Sequence, residues 1–110
     1  MNFDKIELHD AQLVKIEISM GKIFIFMEYY PDERKSKDRT PIVLEFTDVQ
    51  ESNLLMDHAA LLDNESAGNV VYWVPNEHGA TSICLATGFI YIRSKTLNVL
   101  FPESVRPVHA

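Results

Sequence analysis

What this chain has little of narrows it first. Its 110 residues contain one cysteine, Cys84. A lone thiol closes no internal disulfide and builds no cysteine-rich zinc site, which points to a reducing compartment such as the cytosol. Four glycines leave little material for a phosphate-cradling loop. Neither G-x-x-x-x-G-K, G-x-G-x-x-G nor the G-x-S-x-G nucleophile elbow occurs. No apolar run approaches the ~20 residues that a membrane helix needs. The opening "MNFDKIELHD" lacks the apolar centre of a signal peptide. Bases are also scarce, ten against sixteen acids, for a formal net charge of −6. That balance lacks the basic face that nucleic acid or an anionic membrane requires, and it suits a basic partner. The expectation is a soluble cytoplasmic protein that binds neither nucleic acid nor membrane and carries no cofactor or metal.

What is present is repeated strand signal. Apolar residues make up 46% and charged residues 24%, an ordinary globular balance for one domain over residues 1–110. In "QLVKIEISM" (12–20), Val14, Ile16 and Ile18 alternate with Lys15, Glu17 and Ser19, the period of a half-buried strand. Gly21 supplies a hairpin turn, and "KIFIFMEYY" (22–30) follows. There Ile23, Ile25 and Met27 face one way, and Phe24 and Phe26 the other. A strand apolar on both faces is either covered on both or presents an aromatic patch for dimerisation or a ligand. "PDERKSKDRT" (31–40) reads as a mobile polar loop. Its Arg34, Lys35, Lys37 and Arg39 would otherwise contact an acidic partner or a phosphate. After the strand "PIVLEF" (41–46), the spacing predicts one helix near residues 49–63. Asp48 and Glu51 have the form of a capping box, and Leu55, Ala59 and Leu62 recur at helical intervals. Strands at 69–74, 81–86, 89–94 and 96–101 and a frayed tail over 102–110 complete the chain. The fold class expected is α+β, mainly antiparallel β. Six to seven strands in hairpin order would form a sheet or flattened barrel with that one helix on it.

Few residues carry recognisable chemistry. His9 and Asp10 stand together in "LHDAQL", and His-Asp is the pairing that orients an imidazole in many hydrolytic sites. Neighbours on a regular strand point to opposite faces, so the pair can cooperate only where the chain bends. The reading preferred here is a corner that launches the first hairpin, with Asp10 as turn-maker. The alternative is a small enzyme or ligand-binding β-domain whose cleft uses His9, Asp10 and His58. His78 falls in a turn-forming stretch, His109 in the tail, and no two histidines have helical metal-pair spacing. Cys84 lies between Ile83 and Leu85 and reads as buried and inert. No catalytic residue is assigned. The residues with a claim to an interaction surface are Phe24, Phe26, Trp73 and Tyr91, with His9 and Asp10 beside them.

Taken in order, "LHDAQL", a strand ending at a glycine turn, "IVLEFTDV" and a late "ATGFIYIRS" hairpin resemble a set of small, largely uncharacterised bacterial β-rich proteins. Some of these are classed as immunity proteins of polymorphic toxin systems. The matching residues are His9, Asp10, Phe46, Val49 and Gly88. The resemblance implies a bacterial source and a non-catalytic, toxin-neutralising or adaptor role, with a basic toxin as one such partner, and it supplies no catalytic residues. A homodimer paired through the "IFIFM" strand is a further association the sequence allows.

Overall fold

The alternating pattern of residues 12–29 folds as read. β1 (Gln12–Ser19) and β2 (Lys22–Tyr29) form an antiparallel hairpin. Gly21 takes a φ of 76° at its turn, a conformation that costs a residue without Cβ little. The computed structural model describes residues 3–31, 38–57, 59 and 68–102. Within them a single 3₁₀ turn (Phe3–Lys5) precedes six strands, completed by β3 (Thr40–Met56), β4 (Val70–Glu77), β5 (Ala80–Leu85) and β6 (Gly88–Leu100). All neighbours are antiparallel, in one sheet of order β1-β2-β3-β6-β5-β4.

β3 and β6 are the long strands of the sheet and pair along most of their length. Their first shared stretch, Val43–Thr47 against Thr96–Leu100, continues the β1–β2 half of the sheet. Their second, Glu51–Met56 against Gly88–Arg93, continues the β5–β4 half. Between the two, β3 shifts register at Val49/Glu51 just after Asp48, whose φ is 53°. Such a bulge bends a strand and lets one long strand serve two half-sheets. β2 and β5 bury one face along their length, and β3 does so over Ile42–Phe46 and β6 over Ile90–Ser94. Ile23, Ile25 and Met27 meet Ile42, Leu44 and Phe46 from one half, and Ile83, Leu85, Ile90 and Ile92 from the other, in a single core.

Several expectations are corrected here. Residues 49–56, assigned above to a helix, are the far half of β3, and residues 58 and 60–63 lie outside the described residues. Of the described residues only Ala59 is helical and no helix stands among their elements, so the architecture they show is mainly antiparallel β. The strands expected at 89–94 and 96–101 are one strand, β6. Ser94 and Lys95 do not interrupt it, because the Ser94 amide donates to Gly79 O (3.0 Å) and its hydroxyl to Thr96 O (3.0 Å). β2 is bonded to β1 on one side and β3 on the other, so the "IFIFM" strand has no free edge for a homodimer to pair. The interior of the polar loop (32–37) and of the tail (103–110) lies outside the described residues.

Candidate functional site

Residues 6–12 run past the end of β4 and join the two edges of the sheet. Ala11 N–H donates to Leu8 O (2.8 Å), closing a turn over His9 and Asp10. Asp10 adopts a φ of 66°, and Asp is one of the few residues that tolerate this. The turn aims the backbone at β4. Asp10 N–H donates to Val70 O (2.9 Å) and Val70 N–H to Ala11 O (2.8 Å), and Gln12 bridges Asn69. Leu8 and Ala11, both fully buried, anchor the segment from below. Trp73 fixes its upstream end. The indole N–H donates to Ile6 O (3.1 Å), and the ring meets Phe3 edge-on at 6.4 Å.

This seam also uses the His9 ring. Nδ1 lies 2.9 Å from Val71 O, and a carbonyl only accepts, so Nδ1 carries the proton. Nε2 faces Asp10 Oδ2 at 3.6 Å. In a catalytic His-Asp couple the carboxylate holds one nitrogen and leaves the other for substrate. Here one nitrogen is bound to backbone and the other faces the carboxylate from an exposed ring. His58 lies outside the described residues. Among the described residues no three His, Cys, Asp or Glu side chains gather as metal ligands would.

Arg39, read above only as a loop base, completes the seam. Its guanidinium donates to Gln12 Oε1 (3.0 Å) and Asp10 O (3.2 Å) and stacks 5.0 Å from the Tyr30 ring. No local pattern marks that role, because its partners lie 27 and 29 residues away in sequence.

The other candidates separate by face. Trp73 is paired with Ile83 and packs on the core, so it does not share an outer face with Tyr91 or Phe24. Phe24 and Phe26 lie half-buried on the outside of the first half-sheet, 6.5 Å apart. Lys15 Nζ sits 4.6 Å over Phe26 and 3.0 Å from Glu17. Tyr91 lies outside the second half-sheet and accepts a bond from Arg93 (2.9 Å). Cys84 is half-buried rather than buried and lies on that same outer side.

The register reveals a feature the sequence reading missed. Tyr72, Cys84, Phe89 and Leu55 are consecutive cross-strand partners on β4, β5, β6 and β3. Their neighbours Ile83, Leu85 and Ile90 point into the core, so this row points out. Leu55 is 72% exposed and Tyr72 52%. On the inner side, Leu54 and Met56 of β3 face Leu13, Val14, Ile16 and Ile18 of β1 across an open apolar groove of about 470 Å³. Comparison of the chain with protein-family models, curated proteins and solved structures returns no match.

Proposed function

We propose that the chain is a non-catalytic protein-binding module, of the toxin-neutralising immunity or adaptor kind. The observation that carries this reading is the outward row Tyr72–Cys84–Phe89–Leu55, which sets three large side chains, those of Tyr72, Phe89 and Leu55, in solvent across four paired strands. Apolar side chains that sit together on a surface are what protein interfaces bury, and a paired sheet presents them at little entropic cost. The net charge of −6 favours a basic partner and would speed their encounter. An acidic protein that occupies the basic cleft of a nuclease-type toxin would fit both features. Affinity purification of the tagged full chain from its native cell tests this. A partner recovered at one-to-one stoichiometry is expected, and recovery of the chain alone would overturn the reading.

A further inference from the structure

The sheet has three free edges among the described residues, and two of them are guarded against pairing. β1 carries a bulge between Leu13 and Lys15 and the charges of Lys15 and Glu17. β4 has two register breaks and Pro75, and residues 9–12 bond to its first residues. Bulges, charges, prolines and covering segments are the ordinary means by which an edge is kept from recruiting another strand.

The third edge carries a bulge and charges, Asp48 and Glu51, only at its start, and from Ser52 on none of these devices appears among the described residues. Beyond Thr47, β3 has lost β2 as a neighbour, and its last link on that side is Val49 N–H to Gly21 O (3.0 Å). Residues 52–56, Ser-Asn-Leu-Leu-Met, continue paired to β6 alone, with no proline, no charge and no register shift after Glu51. The lane that β2 vacates is flanked by the apolar groove lined by Leu54, Met56, Ile16 and Ile18. On the outer side of this edge, Leu55 belongs to the row described above.

We infer that residues 51–56 of β3 are a strand-addition site, which takes an extended segment of a partner protein that is apolar in its middle and basic at its flanks. This rests on the reading of the chain as a protein-binding module. Backbone pairing would fill the unpaired edge. Alternate side chains would enter the groove on one side and extend the Leu55 row on the other. The charge of the occupant follows from the surroundings. Glu51 is paired with Arg93 of β6 (3.7 Å), while Asp48 and Asp57 flank the site at its two ends in a stretch, 47–57, without lysine or arginine, in a chain of net charge −6. That charge disfavours a second copy and favours a basic-flanked strand.

The probe is a synthetic peptide of alternating threonine and valine with lysines at both ends, titrated into the isotope-labelled full chain and followed by amide NMR. Expected are shifts at residues 51–56, Ile16 and Ile18, with new protection from exchange in 51–56. Binding should be lost when alternate peptide amides are N-methylated, and weakened by Glu51→Lys. Absence of binding, or equal binding of the N-methylated peptide, overturns the inference. Shifts confined to Tyr72, Cys84 and Phe89 overturn it too, while leaving the protein-binding reading intact.

Discussion

Asp10 serves the fold through its backbone as much as through its carboxylate. Its positive φ turns residues 8–11 so that Asp10 N–H and Ala11 O meet Val70. A β-branched residue at that φ is strained by about 1–2 kcal/mol, whereas glycine is not. Asp10→Val should therefore lower the melting temperature by several degrees, and Asp10→Gly should leave it nearly unchanged. Equal losses in the two variants would show that the carboxylate, not the turn, is what matters. The turn was legible in "LHDAQL" because turn chemistry is local. The seam it makes was not, since Val70, Asn69 and Arg39 reach it from distant parts of the chain.

The same contrast holds for whole elements. The two arms of the first hairpin advertise themselves by alternation, but "ESNLLM" in β3 has no period of two and is mostly exposed. Asp48 imitates a helix cap because aspartate, a common N-cap, also tolerates the positive φ it adopts beside the bulge. What makes 51–56 a strand is the edge of β6, a partner more than thirty residues later, and long-range pairing of this kind overrides local preference. Gly88 shows how close that pairing is. A Cβ placed there would lie 2.5 Å from Leu55 O, so the two strands would have to part. Gly88→Ala should cost about 1–3 kcal/mol in chemical denaturation, as overpacking of a fixed contact does. A cost below half a kcal/mol would mean that the β3–β6 contact yields readily.

For the whole molecule, the hairpins were readable but the order of the sheet was not, because the links between its two halves, the β3–β6 pairing and the seam of residues 6–12 on β4, join segments far apart in sequence. The result is a division of labour. His9, Asp10 and Arg39 close the sheet, and Leu55, Phe89 and Tyr72 face outward from it. The measurement that separates these roles compares Asp10→Val with a Leu55→Ser/Phe89→Ser variant. Each would be assayed for thermal unfolding and for recovery of a stoichiometric partner below its own melting point. The seam variant should melt earlier yet keep its partner, and the surface variant should keep its melting temperature and lose the partner. A surface variant that retains the partner in full, beside a folded seam variant that loses it, would return function to His9 and Asp10 and contradict this division.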